Sequence, residues 1–281
     1  MADMNALSAR ACRTLVVILQ CALMVSVGLS QARSSGPQSV TDLMKQLREE
    51  GPMMALTAKR LADAGAVEAI PILTERFAAD SAQPSKHTFP TDDLLDKSTI
   101  ASALVRLGAK GSEYWGFLFA QAQIAAESDA PFPVLLDSKG QVLPKQLAPE
   151  FLAWAKKQKV SPESAAWNEF YGMPLRLMPL AETGDPRGLP LLRKALTSHN
   201  YLVQARAAQG LALLGDKDSI PLIINACVKA PGDFPAMIAR ALPFFEDLRA
   251  RAGAERFIKD RAALDLLREQ NRKGGARSMF R

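Results

Sequence analysis

The chain is poor in the residues that most enzymes use. Its 281 residues include two histidines, His87 and His199, and three cysteines, Cys12, Cys21 and Cys227. Past the first 32 residues there is no His-x-x-x-His or Cys-x-x-Cys, the spacings that gather zinc ligands. His87 has Asp92, Asp93 and Asp96 near it, which reads as a solvated loop rather than a metal site. No Gly-x-Ser-x-Gly elbow is present and neither histidine adjoins a plausible nucleophile, so a hydrolytic triad has no carrier. The paired carboxylates Glu49–Glu50, Asp92–Asp93 and Glu246–Asp247 are sequence neighbours, which diverge on a helix and cannot share a reacting group. No glycine-rich phosphate cradle occurs, and Gly274-Gly275 follows a long helical pattern that it would end. These shortages point away from catalysis, and no cofactor, metal or small-molecule substrate is expected.

Cysteine is scarce in a second, informative way. Once residues 1–32 are set aside only Cys227 remains, so no internal disulfide can form and stability must come from a packed core. Cys227 lies in the apolar stretch 220–228 and is expected to be a buried small hydrophobe. Residues 1–32 read as a secretory signal peptide. Arg10 and Arg13 form its basic edge, residues 14–29 its apolar run, and Ser30-Gln31-Ala32 its small-residue cleavage site. The run is shorter than the roughly 20 residues that span a bilayer, so an uncleaved inner-membrane anchor is the lesser alternative. Gln20 before Cys21 argues against a lipoprotein site. The expected location is therefore periplasmic or secreted, with residues 33–38 as a linker.

Aromatic residues are few but grouped. Tyr114, Trp115, Phe117 and Phe119 form one cluster; Trp154, Trp167, Phe170 and Tyr171 form another. Two readings stand side by side: core filling where small-residue packing is interrupted, or a partner-binding ridge centred on Trp115, Trp154, Trp167 and Tyr171.

What the chain has instead is a repeat. Gly65-Ala-Val-Glu-Ala-Ile-Pro-Ile-Leu73, Gly184-Asp-Pro-Arg-Gly-Leu-Pro-Leu-Leu192 and Gly215-Asp-Lys-Asp-Ser-Ile-Pro-Leu-Ile223 share one pattern: glycine, polar turn, apolar residue, proline, two apolar residues. Gly184 and Gly215 are 31 residues apart, as are Pro190 and Pro221, and Gly108 ends a weaker copy. Residues 203–214 carry a broad helical stripe rich in alanine and glycine, which lets neighbouring helices come close. Gly215 is expected to end that helix in a left-handed conformation, Asp216 to cap the next, and Pro221 to sit in its first turns. One such hairpin cannot bury its own stripe, so it must stack on the next.

These segments resemble HEAT-like repeats, in the short version of about 30 residues found in phycobilin lyases, most closely over 176–228 and more loosely over 55–78 and 99–120. The resemblance implies an all-α fold, an α-solenoid of stacked antiparallel helical hairpins spanning 39–248, that commonly binds other proteins. Lyase chemistry is not implied. The step from Gly65 to Gly108 is 43 residues and from Gly108 to Gly184 is 76. The excess falls in a polar loop at 79–96 and an insertion at about 127–163. Within the insertion, residues 133–143 read as a small β-hairpin around Asp137-Ser-Lys-Gly140, and 151–159 as a helix.

Charge is uneven along the chain. Residues 249–281 hold ten basic residues against four acidic ones, whereas 33–248 hold 23 against 24. A basic capping helix is expected over 249–273, then a disordered tail at 274–281. Its apolar face would seal the last repeat; the alternative is contact with an anionic partner or membrane surface through Arg256, Lys259, Arg268 and Arg272. Nucleic acid is not an expected partner, since no aromatic interleaving accompanies the charge. The sequence thus reads as an exported, non-catalytic protein-interaction or scaffold module of the cell envelope. An enzyme or accessory factor with its site in the 127–163 insertion is the alternative.

Overall fold

A computed structural model describes residues 38–49, 54–79, 90–136 and 142–280; for residues 90–95, 134–136, 142–145, 167, 171 and 280 it describes the backbone only. The signal-peptide expectation at 1–32 and the linker at 33–37 therefore lie outside the described residues, as do His87 and the hairpin turn at 137–141. The chain divides into two compact units, Met1–Lys45 and Gln46–Arg281. The described part of the first carries most of helix α1 (Val40–Arg48). The Ser39 hydroxyl starts this helix by accepting from the Asp42 amide at 3.1 Å.

In the second unit, helices follow one another as hairpins. They are α2 (Met54–Asp63) with α3 (Ile70–Ala79), α4 (Pro90–Arg106) with α5 (Ser112–Glu127), α8 (Met173–Glu182) with α9 (Leu189–Ala195), α10 (Tyr201–Leu213) with α11 (Ile220–Lys229), and α12 (Phe234–Ala239) with α13 (Leu248–Phe257). The first helices pack in series, α2 on α4, α4 on α8, α8 on α10 and α10 on α12. The second helices lie against this row, and α5 and α9 also meet each other. The turn glycines Gly65, Gly108, Gly184 and Gly215 all have positive φ, between 67° and 77°. This left-handed conformation ends each first helix, and a Cβ there would be strained.

Alanine and glycine set the spacing of the row. On α10, Val203, Ala207, Ala208, Gly210 and Leu211 are buried. A Cβ on Gly210 would stand 3.0 Å from Ala181 Cβ and 3.1 Å from Leu192 Cδ2, so α10 is seated directly on the preceding hairpin. Cys227 is buried on α11, as its apolar surroundings predict.

The insertion builds a small core of its own. Strands β1 (Val134–Leu136) and β2 (Val142–Leu147) pair antiparallel, Val134 opposite Leu147 and Leu136 opposite Val142, with an irregularity between. Helices α6 (Pro149–Gln158) and α7 (Pro162–Trp167) follow, and Ala130, Ala148, Phe151, Ala155 and Ala165 bury one another. A single π-helical turn, Asn168–Gly172, joins α7 to α8.

Four expectations need correction. The loop expected over 79–96 is already helical from Pro90. Asp216 does not cap the next helix; its carboxylate is turned to Arg193, while Asp185, at the matching position, does cap by accepting from the Arg187 amide at 2.9 Å. The basic helix expected over 249–273 is two helices, α13 and α14 (Arg261–Gly274). Asp260 starts the second by accepting from the Ala263 amide at 3.1 Å, and α13 completes the last hairpin, leaving α14 as the cap. The tail expected to be disordered forms a 3-10 helix over Gly275–Phe280 that packs on α14 and α10. Ser278 Oγ donates to the Gly275 carbonyl at 2.7 Å, and Arg277 lies 3.7 Å from Asp63 at the end of α2.

Candidate interaction surface

Three consecutive first helices, α8, α10 and α12, open a groove of about 350 Å³. Its floor follows the repeat. Leu175, Arg206 and Met237 succeed one another at steps of 31 residues, and Gln209 and Arg240 make the same step. On α10, residues 202, 206 and 209 fall on the face turned away from Val203, Ala207 and Leu211, which are buried. The walls are apolar, from Leu175, Leu202 and Met237 among others, and the charge is all of one sign. Arg206 is half-buried and donates to Gln209 Oε1 at 2.9 Å. Burial, and after it the like charge of Arg240, make its guanidinium easier to deprotonate than usual. Neither arginine has a carboxylate partner among the described residues.

Beside the groove, the insertion is tied to the repeat by a polar junction at the π turn. Asn200 is buried and does two things at once. Its Oδ1 caps α10 by accepting from the Leu202 amide at 3.0 Å, and its Nδ2 donates to the Glu169 carbonyl at 2.5 Å. The Glu169 side chain is buried and accepts from Ser128 Oγ at 3.2 Å. Burial pushes its carboxyl above the usual range, against the opposing pull of Ser128 and of the Arg176 charge. Arg176 donates to Gln121 Oε1, and its Nε is buried with no hydrogen-bond partner among the described residues. Phe132, Tyr201 and Phe234 pack ring on ring, with centroids 4.9–5.2 Å apart, and so bind the insertion to α10 and α12.

A larger cleft of about 820 Å³ lies between α13, α14 and the preceding 3-10 turn Leu242–Phe244, lined by Asp247, Arg251, Glu255, Asp265, Arg268 and Arg272 among others. Its charges are largely satisfied within the protein. Arg268 pairs with Glu255 at 2.7 Å and with Asp265 at 3.6 Å, and Arg272 pairs with Glu269. Asp247 accepts from Arg249 at 2.8 Å, which lowers its carboxyl to about 2.

The expected site residues are dispersed. Trp115 is half-buried on α5, with the Arg187 guanidinium 4.3 Å over its ring and Phe119 beside it. Trp154 is half-buried on α6, against Phe151, and donates from Nε1 to Asp129 at 3.2 Å. The side chains of Trp167 and Tyr171 lie outside what the structure describes. Arg256 is exposed and lies over its neighbour Phe257, and Lys259 is exposed in the link between α13 and α14. Arg268 and Arg272 do share the C-terminal cleft, but neither groove is lined by Trp115 or Trp154. Sequence reasoning missed Arg206, Arg240, Asn200 and Glu169. The signal for the first two was present: carrying the 31-residue step from the turns into the helices aligns Leu175 with Arg206 and Gln209 with Arg240.

Against known proteins, residues 177–243 match the HEAT repeats family. No curated protein and no solved structure matches the chain. The match covers α9 to α12 and the later part of α8; the groove residues on α10 and α12 and Arg240 fall within it, and Phe170, Pro174 and Leu175 precede it. The fold class is thus all-α, an α-solenoid of stacked helical hairpins of the HEAT-like kind, with a short strand pair in its insertion. Among the described residues no helix is long and apolar enough to cross a membrane.

Proposed function

We propose that the chain is an exported, non-catalytic protein-binding module of the cell envelope that engages its partner through the groove on α8, α10 and α12. The observation that carries this is the groove itself. It is built by successive repeats, lies largely within the HEAT-like stretch, and presents two cations with no carboxylate partner among the described residues between apolar walls. Helical repeats of this class commonly serve protein recognition, because stacking creates a continuous surface that no single hairpin has. Export is supported by the apolar run at 14–29, the small residues before position 33 and the near-absence of cysteine beyond it. The repeat is read as the short phycobilin-lyase type on its 31-residue step. The last helix is read as a cap rather than a peripheral membrane-surface contact, since Leu264 and Leu267 are buried and Arg268 and Arg272 are ion-paired.

The test is site-directed photocrosslinking in intact cells of the source. A photoreactive residue replaces Met237 in the groove or, separately, Leu222, which is exposed on α11. One protein crosslinked from position 237 and not from 222, in the envelope fraction, is the expected result. Crosslinks only to abundant proteins, alike from both positions, would remove the proposal.

A further inference from the structure

We infer that the groove on α8, α10 and α12 receives an acidic peptide segment, seating an aspartate or glutamate carboxylate between Arg206 and Arg240 and an apolar side chain against Leu175, Leu202 and Met237. The inference rests on reading the groove as a protein-binding surface and adds the chemistry of what it binds.

Charge complementarity is the argument. A half-buried guanidinium has given up hydration, and it recovers that loss only through a counter-charge and hydrogen bonds. Several other arginines of this protein meet that condition from within, although the half-buried Arg176 has only the neutral Gln121 as acceptor. Arg193 has Asp216, Arg249 has Asp247, Arg268 has Glu255, and Arg106 has Asp63. In the groove it is not met among the described residues. Arg206 has one neutral acceptor, Gln209, and Arg240 adds a second positive charge where a negative one would be expected. Two like charges facing one concave surface with low-dielectric walls focus a positive potential into it. A carboxylate placed there would relieve the repulsion and could take paired N–H donors from a guanidinium, whose planar fork matches it.

The apolar half of the groove selects a peptide over a bare anion. Leu175 and Met237 occupy the same repeat position as Arg206, one hairpin before and one after, so the cation is flanked along the row by side chains that an inorganic ion would leave exposed. An extended segment with an acidic residue next to a leucine or valine covers both. Gln209 spends its oxygen on Arg206, which leaves its amide free to donate to a peptide carbonyl.

The test uses the full chain and two labelled peptides, one alternating leucine with glutamate and one in which glutamine replaces each glutamate. Fluorescence anisotropy should show the acidic peptide binding about tenfold or more tightly than its neutral twin, with the advantage shrinking as salt is added. Arg206→Gln and Arg240→Gln should each remove about tenfold or more of that affinity, while Lys110→Gln, exposed in the turn after α4 and outside both grooves, leaves it unchanged. Equal binding of both peptides, or an acidic-peptide affinity indifferent to Arg206 and Arg240, would overturn the inference. So would phosphatidylglycerol vesicles or inorganic phosphate displacing the peptide from the wild type. The two proposals fail separately. A single groove crosslink with no preference for the acidic peptide sinks this inference alone. Charge-selective peptide binding without any specific crosslink in cells sinks the envelope-partner reading alone.

Discussion

Arg193 on α9 reaches across to the turn of the next hairpin and holds both oxygens of Asp216, Nε donating at 2.8 Å and Nη2 at 2.6 Å. Ser219 joins the same carboxylate, and Arg193 Nε also lies 3.1 Å from its hydroxyl. Asp216 is buried, so this pair connects one repeat unit to the next through a partly desolvated, two-pronged contact. It is the polar counterpart of the apolar stacking along the row.

That contact should be measurable as coupling. Asp216→Asn and Arg193→Gln, singly and together in urea unfolding, should give a coupling energy of about 1–2 kcal/mol. Burial raises the Asp216 carboxyl, but the hydrogen bonds from Arg193 and Ser219 outweigh it and hold it below the usual aspartate range. A lowered folded value means this stabilisation is present above the unfolded aspartate range and drains away as pH falls through the folded value. The acid limb of the Tm profile should therefore flatten in Asp216→Asn. Coupling within error of zero would reduce the pair to an ordinary surface contact.

Glu169 should act with the opposite sign. Its buried carboxyl is held above the usual range, so the folded protein keeps a proton that the unfolded chain releases. Stability from this group is full below the unfolded glutamate range and is lost as pH rises through the folded value. The difference in Tm between wild type and Glu169→Gln should shift in favour of the glutamine variant across that window and be flat outside it. A difference independent of pH would mean that Glu169 is not protonated in the folded protein.

The seat of α10 on α8 and α9 has little slack. Gly210→Val should destabilise by about 1–3 kcal/mol through overpacking against Ala181 and Leu192. Gly210→Ala should lie near neutral, because a helix-propensity gain of about 1 kcal/mol offsets a contact that neighbours must ease by tenths of an ångström. Gly215→Ala, with φ at +68°, should cost about 1–2 kcal/mol although nothing crowds its Cβ. Urea midpoints rank the three, and a valine at 210 as stable as glycine would contradict the close approach.

Cys227 should be silent in the folded protein. Burial pushes its thiol up to about 12, and the thiolate is the reactive form. In a chain carrying Cys12→Ser and Cys21→Ser, a disulfide reagent at mildly alkaline pH should find no thiol in the native state and one after denaturation. Prompt labelling of the native protein would show that α11 opens far more readily than its packing implies.

Much of the fold was legible because its signals are local. A glycine that must take positive φ, a polar turn and a proline at the start of a helix act within a few residues, so three copies of the pattern marked three hairpins before any packing was known. The strand pair in the insertion was legible for the same reason, since its apolar runs flank a turn sequence. Where the sequence misled, two local solutions competed and a distant residue chose between them. Asp216 has the form of a cap, as Asp185 does, but Arg193 comes close enough to take its carboxylate. The long basic pattern near the C-terminus has no proline or glycine at 258–260, yet Asp260 starts a new helix there because α14 turns back onto the 3-10 turn before α13, where Asn271 Nδ2 donates to the Pro243 carbonyl at 3.0 Å.

The sequence by itself determined that this protein is a helical repeat, where its hairpins turn and which face of each helix is small enough to pack. The tertiary structure decided which side chains meet. A lone arginine on α10 is an ordinary solvated charge in sequence, and so is one just after α12. Only the stacking of hairpins, which carries successive repeat positions onto one surface, sets Arg206 and Arg240 at a common groove, where the half-buried Arg206 feels the like charge of the exposed Arg240.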